Sequence, residues 1–579
     1  MNVSEQLLQM LVNVGVTHVY GVVGDALNHL VKAIEQSKEV DWVAFKHEGN
    51  ASFAAFGDSE SSGKLAVCAG TVGPGALHLI NGLYNAKKER TPVLAITGQV
   101  PSKVQGTSYF QEVDLTKVYD DVCAYQAIVR TPQEAPMVMQ RALQIAISQR
   151  TVCRIELAAD IAGMPAASEE MVHPIFHSDA TLVPGAASIH KAATAINAAH
   201  RIGILAGRGC RDARKEVLHL ANKLKAPITH TLKASDIFDH DTENVVGLTG
   251  LIGNPSGYIA VMKCDLLLML ATDFPYMDYL PHTTQTIQVD IRSENIGNRT
   301  AVDIGVHGDI KAFVEGVLPL VDAKSDGSFV DKLTAGYASY RRRKDEEASP
   351  TRDGEPLHPQ IFAGLINRHA SDDAIFTIET GTSAIWAANH ISFHSHRRIL
   401  GSFNHGSMAV GLPAALGAQM AHPGREVWSI CGDGAFNMAM QDFITAVRYD
   451  LPVKILVLNN SQLGFVKLEM EEAGLVPALD ALRQQNVNFA DYARLCGGEG
   501  IRVEHAKDIE GAILTAKHST KPFLIDAVVS SGEIALPPHV GMKEITGFGK
   551  SKAKEALQVL TGNRDQWENI KEEFQAWFD

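Results

Sequence analysis

Short apolar runs separated by amphipathic stretches recur in three blocks along the chain. In the first block His18–Val22, Trp42–Phe45, Leu65–Ala69 and Pro92–Thr97 read as strands, and helical patterns begin near Val3, Ala26, Glu48 and Gly75. Runs that are apolar throughout, rather than alternating, mark strands covered on both faces, as in a parallel sheet between helices. The second block repeats the pattern with strands at Ile202–Ala206, Asp265–Ala271 and Thr286–Ile291, and the third extends from Gln360 to Ser530. Between the blocks lie an Ala-, Pro- and Ser-rich segment, Gly163 to Ala187, and a charged, Pro-containing one, Tyr340 to Pro359. Both read as exposed linkers. The pattern predicts an α/β protein of three doubly wound parallel-sheet domains at residues 1–165, 186–340 and 358–530, with a C-terminal helical tail over 531–579.

Composition narrows the function. A chain of 579 residues exceeds what one hydrophobic core supports, in keeping with several domains. The formal net charge of -14 excludes a general nucleic-acid binder, which needs a basic surplus to displace counterions from phosphates. An anionic ligand must then be held by local backbone donors or by a metal. The 7 cysteines are scattered and form no C-x-x-C pair, which fits a reducing compartment. The opening MNVSEQLLQMLVNVGV is an amphipathic helix with an acid inside it, unlike a signal peptide, and no apolar run reaches the ~20 residues of a membrane span. The expected location is the cytoplasm, at most peripheral to the inner face of the cell membrane.

The most informative chemistry lies in Val427-Trp-Ser-Ile-Cys-Gly-Asp-Gly-Ala-Phe-Asn437 and Lys454-Ile-Leu-Val-Leu-Asn-Asn460. Each reads as a buried strand followed by a turn, the first entering a helix near Asn437. Asp433 and Asn460 then stand at the carboxyl ends of successive parallel strands, where open α/β sheets bind ligands. Mg²⁺ takes hard oxygen donors, few of them from protein, together with phosphate oxygens. Asp433, Asn460 and the backbone carbonyl of Gln462 meet that demand, and the adjacent glycines let backbone approach a diphosphate at a helix N-terminus. Gly-Asp-Gly or Asn-Asn alone is an ordinary strand-to-helix turn. Both together, in the right strand context, distinguish the metal reading.

Over essentially its whole length the chain resembles thiamine-diphosphate enzymes, most closely bacterial pyruvate oxidases of the pyruvate:quinone dehydrogenase type. The matches are GVVGDALN (Gly21–Asn28), CAGTVGPGALHLINGLY (Cys68–Tyr84), SYFQE (Ser108–Glu112), GLTGLIG (Gly247–Gly253), TDFPY (Thr272–Tyr276), GSFNHGSMA (Gly401–Ala409) and NNSQLGFVKLEM (Asn459–Met470). The resemblance implies pyrimidine-binding, FAD-binding and thiamine diphosphate/Mg-binding domains, in that order. It makes Asp433, Gly434 and Ala435, with Asn460, Ser461, Gln462, Leu463, Gly464, Phe465 and Val466, the diphosphate and metal loops. It also makes Gly406, Ser407 and Met408 the turn that supports the pyrimidine, with Met408 bending the cofactor. Glu48 becomes the carboxylate beside the aminopyrimidine ring, a general acid–base role. Where relatives usually read His-Glu-Glu-Val-Ala this chain has His47-Glu48-Gly49-Asn50-Ala51, a more polar and flexible neighbourhood. Phe110, Gln111, Phe465 and Glu469 are implied to approach the substrate.

For the middle domain the resemblance implies FAD, along Thr249, Gly250, Leu251, Ile252 and Gly253, against Thr272, Asp273, Phe274, Pro275 and Tyr276. Asp290, at the end of a strand, can accept hydrogen bonds from ribose hydroxyls. Gly207-Arg-Gly209 is a weaker signal. It has Asp212 where a G-x-G-x-x-G fingerprint needs its third glycine, so NAD is not supported.

The implied activity is oxidative decarboxylation of pyruvate to acetate and CO₂, with electrons passing through FAD to a quinone, in a homotetramer. Rival readings are a phosphate- and O₂-dependent oxidase giving acetyl phosphate, an acetolactate synthase-type carboligase, and a degenerate flavin-binding scaffold. The presence of Glu48, Asp433 and Asn460 together argues against the scaffold. In the tail, Trp567, Ile570, Phe574 and Trp577 recur at helical spacing, and quinone-dependent relatives use such a tail on lipid. Acidic Asp565, Glu568, Glu572, Glu573 and Asp579 outnumber Arg564 and Lys571 there, which opposes anionic lipid.

Overall fold

The computed structural model describes residues 1–167, 175–176, 180–238, 242–350, 356–394, 396–533 and 550–551. The predicted tail helix lies outside these residues. Three six-stranded sheets, parallel at every pairing, form three α/β units. The first holds β1 (His18–Gly21), β2 (Asp41–Ala44), β3 (Ala66–Gly70), β4 (Val93–Gln99), β5 (Tyr125–Val129) and β6 (Val152–Ala158). The second holds β7 (Ile202–Ala206), β8 (Ile228–His230), β9 (Val245–Leu248), β10 (Leu266–Leu270), β11 (Gln285–Asp290) and β12 (Ile304–His307). The third holds β13 (Ile375–Ile378), β14 (Arg398–Gly401), β15 (Val427–Gly432), β16 (Lys454–Asn459), β17 (Glu499–Val503) and β18 (Phe523–Val528).

Sheet order sorts the units into two kinds. The outer two share one topology, β2-β1-β3-β4-β6-β5 and β14-β13-β15-β16-β18-β17. The middle sheet runs β12-β11-β10-β7-β8-β9, the order of dinucleotide-binding folds, whose direction reverses between β7 and β10.

The outer units share a hydrophobic core, and small residues make this possible. Helix Glu48–Ser62 packs against helix Gly411–Ala421 so closely that a Cβ on Gly57 would overlap the Ala414 backbone, and one on Gly417 the carbonyl of Ala54. Glu48, at the first helix's N-terminus, is thereby fixed relative to the third domain.

Two sequence expectations are corrected. The segment from Tyr340 is not linker at its start: it continues helix Ser328–Glu347. Its charges pair at helical spacing, as in Lys344–Glu347, while Tyr340 Oη donates to Asn389 Oδ1 at 2.6 Å. The helix after β15 begins at Asp433 rather than near Asn437, because Gly432 is extended and Asp433 Oδ1 accepts from the Gly434 N–H in the first turn.

Candidate active site

Asp433 opens its helix directly at the C-terminal end of β15, and Asn460 follows β16, its neighbour in the sheet. Asp433 is buried, and its Oδ2 makes no hydrogen bond among the described residues. Burial pushes its carboxyl up to about 6. An unpartnered buried carboxylate oxygen is expensive unless a cation satisfies it. Asn460 Oδ1 accepts from the Gln462 N–H at 3.2 Å, and the Gln462 carbonyl accepts from the Gly464 N–H at 3.0 Å with one lone pair still free. Carboxylate, amide oxygen and carbonyl oxygen form the donor set that Mg²⁺ prefers, so the residues present fit the metal. The loop then enters helix Gly464–Glu472. Phe465 packs partly on the third-domain core, whereas Val466 and Glu469 face outward.

The turn Gly406-Ser407-Met408 is held from two sides. Ser407 donates its N–H to Ser402 Oγ at 2.8 Å, and Asn81 of the first domain donates to Ser407 Oγ at 3.0 Å. Gly406 has φ +69° and Ala409 φ +72°. Glu379, fully buried at the end of β13, accepts from the N–H groups of Val410 at 3.1 Å and Gly411 at 2.8 Å. Burial raises this carboxyl to about 7. Glu379 carries no local sequence signal, and Asn81 lies within the Cys68–Tyr84 match without being singled out, because each acts through contacts made only in the fold.

Glu48 is buried at the first turn of its helix, whose N-cap His47 accepts from the Gly49 N–H at 3.0 Å. The His47–Ala51 neighbourhood, expected to be flexible, is locked. Asn50 is buried and donates to Asp442 Oδ2 at 2.5 Å, while the Lys46 N–H donates to Asp442 Oδ1 at 2.8 Å. Both flanks of Glu48 are thus tied to one carboxylate of the third domain. Gln111 and Phe110 lie on a loop bearing a left-handed φ of 64° at Gln111, and Phe110 is 78% exposed.

A cavity of about 770 Å³ lies where the three domains meet. It is lined by Thr249, Leu251 and Ile252, by Thr272–Tyr276 and by Asp290, all singled out in the middle domain, whereas Gly250 and Gly253 are not among its lining residues. Gly207 and Gly209 stand against the loop after β10, at the sheet's switch point. Asp290 is buried and accepts from the Arg292 N–H at 2.8 Å. The buried Thr249 hydroxyl has no hydrogen-bond partner among the described residues. Arg150, which the sequence did not single out, also lines the cavity and carries no ion pair among the described residues. Burial, and next the like charge of Arg208, lower its pKa. A free guanidinium, a free hydroxyl and an acid at a strand end fit a dinucleotide with anionic diphosphate and ribose hydroxyls.

The fold and these sites define a class. The chain belongs to the thiamine pyrophosphate enzyme family. It matches the N-terminal TPP binding domain over residues 1–118, the central domain over 189–317 and the C-terminal TPP binding domain over 379–527. Among its relatives is a Bacillus subtilis thiamine pyrophosphate-containing protein, YdaP, 34% identical over 554 residues that cover 95% of each chain. The pyruvate oxidase of Lactiplantibacillus plantarum is 27% identical over 90% of this chain and 87% of its own. The acetolactate synthase of Mycobacterium avium is 28% identical over 91% and 87%. No helix among the described residues is long and apolar enough to cross a membrane.

Proposed function

We propose that this enzyme oxidatively decarboxylates pyruvate to acetate and CO₂ and passes the electrons through FAD to a quinone. The observation that carries the redox reading is the cavity at the middle sheet's switch point, its wall holding the Thr249 hydroxyl without a hydrogen bond and Arg150 without an ion pair among the described residues. When bound, thiamine diphosphate supplies a carbanion-stabilising centre for decarboxylation and FAD a two-electron acceptor. Asp433, Asn460 and the Gln462 carbonyl would hold Mg²⁺, and the N-terminus of helix Asp433–Ala439 would favour the anionic diphosphate beside it. Glu48 would hold a proton beside the aminopyrimidine ring of the bound cofactor, and Met408 would support that ring from its turn. Phe110, Gln111, Phe465 and Glu469 shape the approach of the substrate. The Phe110 side chain, left largely in water, is covered by a second copy of the chain, and dimers pair into a tetramer. The three domains bind pyrimidine (1–165), FAD (186–340) and diphosphate with Mg²⁺ (358–530), and the tail from 531 contacts the membrane peripherally.

The test is anaerobic addition of pyruvate to the purified holoenzyme while the flavin absorbance is followed. Bleaching by pyruvate and recovery on adding a quinone support the reading. Recovery only with oxygen and phosphate would indicate the acetyl phosphate-forming oxidase. Unbleached flavin with accumulating acetolactate would establish a carboligase instead.

A further inference from the structure

His47, Glu48 and His78 form the only cluster of three or more potential metal-ligating side chains found among the described residues, with one donor atom from each inside 4.8 Å. A metal does not suit their geometry. The two imidazoles are stacked, centroids 4.4 Å apart and planes 28° from parallel. Imidazole lone pairs lie in the ring plane, so two stacked rings direct theirs side by side rather than toward one ion. His47 Nδ1 is moreover already engaged by the Gly49 N–H.

The same geometry does suit a clamp on Glu48. His78 Nδ1 lies 2.9 Å from Glu48 Oε2, so the imidazole that donates there carries its proton on Nδ1. On the other side Gly75 leaves room for Glu48 Oε1, since an added Cβ there would sit 3.0 Å from it. Gly75 and His78 belong to one short helix, Pro74–His78, so a single element holds Oε2 through the imidazole and makes room for Oε1. His47 backs His78 by stacking, and Gly49 leaves room for this, since a Cβ there would come within 2.9 Å of the His47 ring.

The geometry assigns His78 as a positioning residue for Glu48. It fixes the carboxylate rotamer that Glu48 presents to the aminopyrimidine ring, and it does so from a side chain that is 46% exposed. The assignment rests on the thiamine diphosphate reading of the site.

The experiment compares wild type with His78→Ala, His78→Asn, Glu48→Gln and the Glu48→Gln/His78→Ala double variant. Two quantities are read for each: thiamine diphosphate affinity in the presence of Mg²⁺, by calorimetric titration, and the rate of C2-proton exchange of the bound cofactor, by quenched-flow NMR. His78→Ala should slow exchange about 10–100-fold while affinity stays within about twofold. His78→Asn, whose amide nitrogen occupies the place of Nδ1, should recover most of the rate. The double variant should be no slower than Glu48→Gln alone, because His78 acts only through Glu48. Unchanged exchange in His78→Ala overturns the inference, and so does an additive loss in the double variant. A wild-type protein that binds no thiamine diphosphate refutes the functional reading and this inference with it. A wild type that binds and exchanges normally, beside an unaffected His78→Ala, sinks only His78.

Discussion

The side-chain amide of Asn50 in the first domain donates at 2.5 Å to the carboxylate of Asp442 in the third, 392 positions away in sequence. Asp442 also accepts from the Lys46 N–H and from Thr445 Oγ1, so one buried carboxylate ties down the chain on both sides of Glu48. Asn50→Ala leaves that carboxylate short of one donor. It should cost about 1–3 kcal/mol, seen as a lower thermal midpoint. Asp442→Ala should cost more, because three donors then lose their acceptor. Equal midpoints for wild type and both variants would refute the clamp.

Asp433 gives the metal site a pH dependence. Its folded-state pKa, raised to about 6 by burial, lies above the ordinary carboxylate value of 3.8. Without metal, the folded protein therefore holds this proton more tightly than the unfolded chain, and the advantage is lost as pH rises toward 6. Bound Mg²⁺ requires the ionised form and relieves that buried charge. The thermal shift produced by Mg²⁺ and thiamine diphosphate should be larger at pH 7.5 than at pH 5, and Asp433→Ala should abolish it. A shift that is the same at both pH values would remove Asp433 from the ligand set.

If a second copy of the chain completes each active site, two inactive variants should complement one another. Glu48→Gln should retain cofactor binding and lose about 10²–10⁴ in rate. Asp433→Ala should lose Mg²⁺-dependent cofactor binding. Mixed under conditions of proven subunit exchange, the pair should regain activity, measured as decarboxylation rate against mixing ratio. No recovery would mean that each site is formed within one chain.

Packing of helix Glu48–Ser62 on helix Gly411–Ala421 depends on backbone approaching backbone, which cannot relax around a new side chain. Gly417→Val should destabilise by about 1–3 kcal/mol or more, and it should displace Glu48 as the helices separate. Gly511→Ala serves as the control. It lies in helix Ile509–His518 with no atom near the added Cβ, and should gain about 0.5–1 kcal/mol. Denaturant midpoints of the two variants should therefore move in opposite directions.

The strands that the sequence revealed are mostly apolar and buried, among them β1, β7, β10, β15 and β16. For four of those it left unnamed the cause is identifiable. β6 carries Arg154 and Glu156, which break the apolar run but are buried and paired with each other at 2.9 Å. β8 has only three residues, and β5 and β12 lie at sheet edges, where half-exposed positions dilute the pattern. The linker expectation at Tyr340 fails because the segment continues a helix, pinned to Asn389 through Tyr340 and Arg341, while most of residues 342–350 are exposed as expected.

Asp433 and Asn460 were legible because each follows directly from a strand, and strand direction alone brings their positions to the same sheet edge. Thr249 and Asp290 were reached through the middle-domain resemblance. What decided their surroundings was tertiary structure. Glu379 and Asp442 sit in unremarkable local sequence, whereas His78 and Asn81 lie within the Cys68–Tyr84 match; the place of each is set by a partner dozens to hundreds of residues away, and Arg150 is placed by the wall of the cavity. Local pattern reports secondary structure and the residues bound to strand ends, because both depend on neighbours along the chain. Burial, clamping and pairing depend on which elements the packed domains bring together, and that is settled only when the three sheets assemble.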